Sequence, residues 1–495
     1  MKRTIYFFLI LAFDFFFSPG FAQTVPANWT SLYNGLEAKV RSIDSIMTAE
    51  WDGIKHCTNY CTNLMPANSS QGPDLLTQMP SLYVVKKHLD ALDSIGINTI
   101  DLAIQYPTLV SAFPQSSEYL EYYKLVVQEI RNRGMKIIVG CQATVRDSVY
   151  GHMPVDSFYI GLDATRYKTE KLQMIQTIID TLQPDYLTIE MEPQTQADNL
   201  PIDFSLNSVM DYVDFFMQGM VKNGVQIGAG SGTWDDLMFI DSIARLPDID
   251  FIDYHIYPIN QSCFIDKVFQ IDSIATLYNK KLVIGESWLF KATDAELLDT
   301  TLSPADLFYR DVFSFWIPLD SLFFTSVVKL SHYSKTEVTS LIWSNLFFAY
   351  IDHIPAYDAM WPGQIVSIAY TEAGPNILSN TLTPTGELYR TLIADACDTA
   401  SSTNSNLKKH DNPIRIYPNP NSGIFTLEIS CPGRQNVKYW ISTPAGKTVM
   451  RHSINWTDQD ERAVEIVNLS ALPKGIYFVN VITESYSACK KVMVF

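Results

Sequence analysis

Basic residues are scarce in this chain: 36 Lys and Arg stand against 53 Asp and Glu among 495 residues, for a formal net charge of -17. They are scattered, with no basic stripe, so the surface repels phosphate backbones and anionic headgroups, and nucleic acid is not an expected partner. Beyond the N-terminal leader no apolar run approaches the roughly 20 residues that span a bilayer. Several chemical signatures are also missing: there is no Gly-x-Ser-x-Gly elbow, no His-Glu-x-x-His helix and no Gly-rich dinucleotide fingerprint. Those absences remove the usual serine-hydrolase, zinc-protease and nucleotide-cofactor readings. The glycine-rich Gly228-Ala229-Gly230-Ser231-Gly232 lacks the Lys of a phosphate loop and reads as a turn leading out of a strand. Cysteine is sparse and odd in number, at seven. Cys57 and Cys61 are the only close pair. With His56 adjacent but no second Cys or His cluster they do not complete a tetrahedral metal set; a disulfide and two buried thiols both remain open. No metal and no cofactor is implied.

What is present suits a large globular core, with 47% hydrophobic and 18% charged residues. Lys2 and Arg3 precede an apolar run from Ile5 to Phe17. Ser18, Pro19 and Gly20 then break the helix, and Gly20-Phe21-Ala22 supplies the small residues that a signal peptidase reads. Residues 1–22 are therefore expected to be a signal peptide cleaved before Gln23. The run is too short for a membrane anchor and contains Asp14, so the mature chain is expected to be soluble and to have no transmembrane segment.

Composition divides the remainder into a body (23–397), a linker (398–413) rich in Ser, Thr, Asn and Lys, and a tail (414–495). Short β-branched runs alternate with amphipathic stretches in the body. Expected strands are Gly53 to Cys57, Thr99 to Ile104, Lys136 to Gly140, Tyr186 to Met191, Val225 to Ala229, Phe251 to Tyr254, Lys281 to Gly285 and Thr339 to Trp343. Helical spacing runs through Leu82 to Ile95, Tyr119 to Arg133 and Lys168 to Leu182, with Gly96 and Gly134 at the hand-over to the next strand. Eight βα units imply a (β/α)₈ TIM barrel with long loops, and a doubly wound sheet is the alternative. The tail reads as a small immunoglobulin-like β-sandwich, with strands at Phe425 to Ile429, Val437 to Ser442, Ala463 to Val467, Tyr477 to Thr483 and Lys490 to Phe495.

Tyr417-Pro418-Asn419-Pro420-Asn421-Ser422-Gly423 is a rigid turn into a strand, with Gly423 free to take positive φ. Joined to Leu469-Ser470-Ala471-Leu472-Pro473-Lys474-Gly475-Ile476-Tyr477-Phe478-Val479 and the ending Lys490-Lys491-Val492-Met493-Val494-Phe495, it resembles the C-terminal sorting domain of type IX secretion cargo. The resemblance implies recognition by the type IX secretion machinery, passage through an outer membrane, and a body either released or attached to the cell surface. An accessory sugar-binding sandwich is the other reading, for which Trp440 and Trp456 are the only tryptophans available.

Two acidic residues end strand-like runs in the body. Glu192 closes Tyr186-Leu187-Thr188-Ile189 and precedes Pro193; Glu286 closes Leu282-Val283-Ile284-Gly285 and precedes Ser287-Trp288. A barrel presents such strand ends at one face, and a pair of carboxyls there can hydrolyse a glycosidic bond. These segments resemble strands four and seven of the clan A (β/α)₈ glycoside hydrolases, and Asp253-Tyr254-His255-Ile256-Tyr257-Pro258 resembles the end of strand six. The resemblance implies Glu192 as acid/base and Glu286 as nucleophile, His255 near substrate, and Tyr257 hydrogen-bonded to the nucleophile. Trp343, at the end of the eighth strand, is placed as a floor for a sugar ring. Trp234 and Trp288 are further substrate-binding candidates, as are Trp361 and Tyr106. Trp234-Asp235-Asp236 also reads as a helix start capped by Asp.

The pattern departs from the clan at Met191, where Asn is usual. Another residue then makes that sugar contact, or the substrate lacks the usual hydroxyl pattern, or the body is a weakened or inactive relative. Glu190 is open between two accounts: a like charge sharing the face of Glu192, or a structural carboxylate paired with a buried base. The sequence thus reads as a secreted glycosidase acting with retention on a poly- or oligosaccharide. A catalytically inactive carbohydrate-binding or surface protein on the same barrel is the alternative.

Overall fold

The structure is a computed structural model that describes residues 22–78, 82–141, 146–147, 152–257, 263–299, 301–302, 305–394, 414–430, 436–443, 448–455, 462–482 and 487–495. The expected leader (save Ala22) and linker lie outside the described residues, as do Pro258 and Trp456.

Eight parallel strands close into a barrel: β1 (Asn59–Asn63), β2 (Thr99–Ala103), β3 (Lys136–Gly140), β4 (Tyr186–Thr188), β5 (Gln226–Gly232), β6 (Phe251–Ile256), β7 (Lys281–Ser287) and β8 (Val338–Leu341). Each pairs with the next in sequence, and β8 returns to β1 with Asn59 opposite Val338. The expected (β/α)₈ architecture is therefore the one observed. Helices Leu82–Ile95, Ser116–Arg131 and Ala164–Thr181 stand where apolar periodicity placed them, and Gly96 and Gly134 take φ of 100° and 71° beyond the first two.

Side chains alternate across the strands, which gives two apolar layers. Cys61, Ile138, Tyr186, Phe251, Val283 and Val338 plug the barrel interior. A far larger cluster fills the space between strands and helices, with Ile100, Leu187, Ile227, Tyr254 and Ile284 turned outward. The glycine run 228–232 is not a turn but lies within β5. A Cβ on Gly228 would sit 2.1 Å from the Phe251 ring, so the glycine makes room for the largest inward residue of β6.

Two departures concern the first strand and its cysteines. β1 begins at Asn59, beyond the expected Gly53 to Cys57, with Asn59 bonded to the Glu337 carbonyl, Thr62 to the Leu341 carbonyl and Asn63 to Asp101. Cys57 is disulfide-bonded whereas Cys61 is a free buried thiol, so these two do not pair with each other.

The tail forms two antiparallel sheets, one of Ile414–Tyr417, Ile424–Ser430 and Arg462–Asn468, the other of Asn436–Ser442, Thr448–Asn455, Gly475–Ile482 and Ser487–Val494. Phe425, Leu427 and Ile429 of one sheet meet Val437, Tyr439 and Ile441 of the other in a shared core. Gly423 has φ of 101°, and a Cβ there would lie 2.6 Å from the Ser470 backbone, so both conformation and space require glycine.

Candidate active site

The C-terminal ends of β4, β6 and β7 bring Glu192, His255 and Glu286 together, with one carboxylate oxygen of each acid and one ring nitrogen of the histidine all within 4.8 Å of one another. Each arrives by a different local device. β4 stops at Thr188, the chain bends, and Glu192 sits at φ 48°, ψ 65°, in the left-handed region a residue with a Cβ seldom adopts. Pro193 then opens the short helix Pro193–Asn199. β6 is regular through its end, so Phe251, Asp253 and His255 all point inward. Strict alternation along β7 would send Val283 and Gly285 inward and Glu286 out. The register instead slips, so that Tyr254 pairs with Ile284 but His255 pairs with Glu286. Gly285 is the extra residue of this bulge, which turns Glu286 into the barrel.

Nδ1 of His255 is hydrogen-bonded to Oε1 of Glu192 and lies 3.5 Å from Oε2 of Glu286. The phenol of Tyr257 donates to Glu286 Oε2 at 2.6 Å. The His255 and Glu192 side chains are 4% and 8% exposed and that of Glu286 20%, so the nucleophile candidate is the one most open to solvent. Burial alone would lower the basicity of His255, but Glu286, Glu192 and Asp253 outweigh it and push the imidazole up to about 10. Burial and the neighbouring Glu192 raise the Glu286 carboxyl, while His255 and the Tyr257 hydrogen bond pull it back; the net direction is upward.

The floor beneath is acidic. Asp101 on β2 accepts from Asn63 Nδ2 at 2.8 Å, and Asp253 Oδ2 accepts from Thr188 Oγ1 at 2.6 Å. With Ala103, Ile138, Gly140, Met191 and Gly285 these acids line the cleft under the pair. Burial pushes the Asp101 carboxyl up, and Glu286 and Asp253 add to it, to about 7. A carboxyl whose folded value exceeds its unfolded one destabilises the fold once ionised, here as pH rises from about 4 towards about 7. Asp101→Asn is therefore expected to raise the melting temperature at pH 8 by a few degrees and to give no gain at pH 4, read by thermal melts at both values. Asp235, at the end of β5, is a further buried acid, raised to about 6 mainly by burial, which receives the backbone N–H of Gly232 at 2.8 Å.

The aromatic candidates separate. Trp234 is half-buried and meets the Tyr257 ring edge-on at 6.0 Å, which places it beside the nucleophile candidate. Trp343 has φ of 58°, packs edge-on to Phe308, and leaves its buried Nε1 without a hydrogen-bond partner. Trp288 is fully buried, with Phe324 against its ring and the Lys291 ammonium 4.8 Å from its centre, so it presents no face to a sugar here. Tyr106 is fully buried as well and donates to Glu170, while Trp361 is 47% exposed. Asp236 caps the helix Leu237–Ala244 by accepting from Met238 N–H, as the sequence implies. Glu190 takes the second of its two accounts: it faces outward to Lys171 at 2.9 Å, with Tyr167 and Gln196 donating to the same carboxylate. Sequence reading did not give Asp101 a role, although an acid set among Ile100, Leu102 and Ala103 is the available signal.

Residues 415–495 match the family model described as a secretion system C-terminal sorting domain. The chain thus carries a type IX sorting domain, which directs it out of the cell for release or attachment at the surface, and which engages the secretion machinery. No helix among the described residues is long and apolar enough to cross a membrane. No curated protein matches the chain. Among solved structures, the endo-β-1,4-mannanase from Thermotoga petrophila is 9% identical with a TM-score of 0.36, over 90% of this chain and 99% of that one. GH5_18 from Streptomyces cattleya, solved with GlcNAc, is 11% identical with a TM-score of 0.46, over 71% and 82%. The glycoside hydrolase family 30 subfamily 8 xylanase from Clostridium acetobutylicum is 8% identical with a TM-score of 0.37, over 87% and 97%. Identities of this size leave the chemistry of the cleft to its own residues.

Proposed function

We propose that this chain is an exported glycosidase that cleaves O-glycosidic bonds of a poly- or oligosaccharide with retention of configuration. The observation that carries the reading is the spacing of Glu192 and Glu286, whose nearest carboxylate oxygens lie within 4.8 Å. Retaining enzymes hold their carboxyls about 5–5.5 Å apart, and inverting ones need about 6.5–9.5 Å to admit a water between acid and base. Glu286 attacks the anomeric carbon as Glu192 protonates the leaving oxygen. Glu192 then takes a proton from the water that releases the sugar from Glu286. Tyr257 keeps Glu286 aimed, Trp234 offers an apolar face beside Tyr257, and Trp343 offers one beyond the end of β8.

The substrate is uncharged on this reading. No Lys or Arg lines the cleft floor among the described residues. The basic groups on segments following the strand ends are engaged: Arg146 with Asp156, Arg310 with Glu296, Lys291 with Asp320 and Asp311, and Lys267 with the Asp235 carbonyl. Segments 79–81, 142–145, 148–151, 258–262, 300 and 303–304 contain no Lys or Arg in their sequence. A uronate or sulfate brought among these carboxylates meets repulsion, and the one cation there, His255, is already set among Glu192, Glu286 and Asp253.

The test is reducing-end release from matched neutral and uronate-bearing polysaccharides, with the anomeric form of the first product followed by NMR. Turnover with retention is expected, with kcat/KM at least about ten-fold higher for the neutral polymer. Inversion would exclude Glu286 as nucleophile. The second reading, a sugar-binding protein without turnover, draws on Met191, which lines the cleft where the resemblance has Asn. Binding to the panel with no product from any member would establish it.

A further inference from the structure

Asp253 occupies an unusual place for an acid. It lies mid-strand on β6, 3% exposed, and two residues before His255, so both side chains enter the barrel on one face. Thr188 from β4 holds its Oδ2. Its Oδ1 has no side-chain donor and faces Nε2 of His255 at 4.0 Å, with the backbone N–H of Gly285 also turned towards the carboxylate. A Cβ on Gly285 would lie 2.3 Å from that same Oδ1, so the bulge residue of β7 leaves the space the carboxylate fills. One bulge thereby turns Glu286 inward and seats Asp253 under the imidazole.

The ring of His255 is consequently set between acids on both nitrogens. Glu192, from the chain after β4, bonds Nδ1; Glu286, from β7, stands 3.5 Å from it; Asp253 faces Nε2 from the ring's own strand. Asp101 on β2 adds its field from the floor, and Tyr257 reaches the ring through Glu286. A neutral imidazole can put a proton on only one of its nitrogens, whereas this setting rewards a proton on each.

We infer that Asp253 is a positioning residue that keeps His255 doubly protonated, so that the Nδ1 proton is the one Glu192 delivers to the leaving oxygen. The inference rests on the catalytic reading of Glu192 and Glu286 given above. In the first half-reaction the Nδ1 proton passes to the Glu192 carboxylate and from there to the glycosidic oxygen, as the bond from the anomeric carbon to that oxygen breaks and the bond to Glu286 forms. His255 is left neutral, its remaining proton on Nε2 towards Asp253. In the second half the attacking water gives a proton to Glu192, which returns it to Nδ1. The bond from the anomeric carbon to Glu286 breaks, and no proton is gained or lost overall. The raised basicity of His255 agrees with this storage role.

The test is Asp253→Asn, which keeps an acceptor for Thr188 and removes the charge beneath Nε2. The imidazole NMR titration of His255 is expected to move to lower pH by about one unit or more, since a unit charge at this distance in a buried site is worth at least that. The alkaline limb of the kcat profile should move with it. Hydrolysis of aryl glycosides with good leaving groups, which need little protonation, should fall much less than that of polysaccharide. Thr188→Val, which frees Asp253 Oδ2 without altering charge, should shift both readouts in the same direction by less. An NMR titration and pH limb coincident with wild type in Asp253→Asn would overturn the inference, as would a loss equal at all pH values and for all leaving groups. Should Asp253→Asn fail to fold, an unshifted titration in Thr188→Val would overturn it. Full turnover in Glu286→Gln would sink the catalytic reading instead, and the NMR titration would still report on the Asp253–His255 coupling by itself.

Discussion

Glu286→Gln is expected to lower kcat on polysaccharide by about 10³–10⁵-fold while leaving sugar affinity within a few-fold of wild type. The amide keeps the volume of the carboxylate and still accepts the Tyr257 hydroxyl, which now donates at 2.6 Å, so the cleft should hold its shape. What is lost is the anionic oxygen that attacks the anomeric carbon and the negative charge that balances the cationic transition state. Affinity is read by calorimetry with an oligosaccharide and turnover by reducing-end release. Glu286→Gly with added azide supplies the complementary sign, because a small external nucleophile entering from the vacated side yields a glycosyl azide of inverted configuration. Residual kcat of more than a few per cent in Glu286→Gln, after exclusion of contaminating wild type, would remove Glu286 from the role. Loss of binding together with turnover would point to structural damage.

Lys171→Ala should be the most damaging single change outside the cleft, lowering stability by about 3–5 kcal/mol. Lys171 on the helix Ala164–Thr181 and Glu190 after β4 are 0% and 1% exposed and 2.9 Å apart. Tyr167 takes a hydrogen bond from the ammonium and gives one to the carboxylate, and the rings of Tyr167 and Phe216 flank the cation at 5.1 and 5.7 Å. Removing the base strands a carboxylate in an apolar layer with neutral donors only. Lys171→Met combined with Glu190→Gln removes both charges and fills the space, and should recover most of the loss. Chemical denaturation of the three variants against wild type checks this. A Lys171→Ala change under about 1 kcal/mol would mean that Glu190 simply takes up a proton when its partner is gone. Activity per folded molecule should change little, because Glu190 faces the helices and not the cleft.

Much of the fold was legible because barrel strands buried on both faces are written in β-branched and apolar runs, and Lys136–Gly140 and Lys281–Ser287 are of that kind. Where inward positions carry polar groups, that signal vanishes: Asn59–Asn63 reads Asn-Tyr-Cys-Thr-Asn and looks like a loop because Asn63 faces Asp101 and Thr62 bonds the Leu341 carbonyl. Two tail strands were hidden for related reasons. Ile414–Tyr417 is short and alternates beside a turn, and Thr448–Asn455 carries Arg451 and His452 on exposed positions. The candidate pair was legible in residue type and place, but its geometry was not. Period-two reasoning puts Glu190 on the face of Glu192 and sends Glu286 out of the barrel. A bend at the first site and a register slip at the second reverse both. A glycine just before the acid, Gly285, is the only mark the slip leaves in the sequence.

The left-handed backbones of Glu192 and Trp343 also set a limit on how this protein can drift. Both are corners where Gly or Asn would sit with less strain, by an amount on the order of 1 kcal/mol. Selection for heat resistance alone would favour those replacements, and each would erase a side chain that the proposed chemistry uses. A lineage that no longer uses its substrate should therefore lose these corners early, while its barrel becomes firmer.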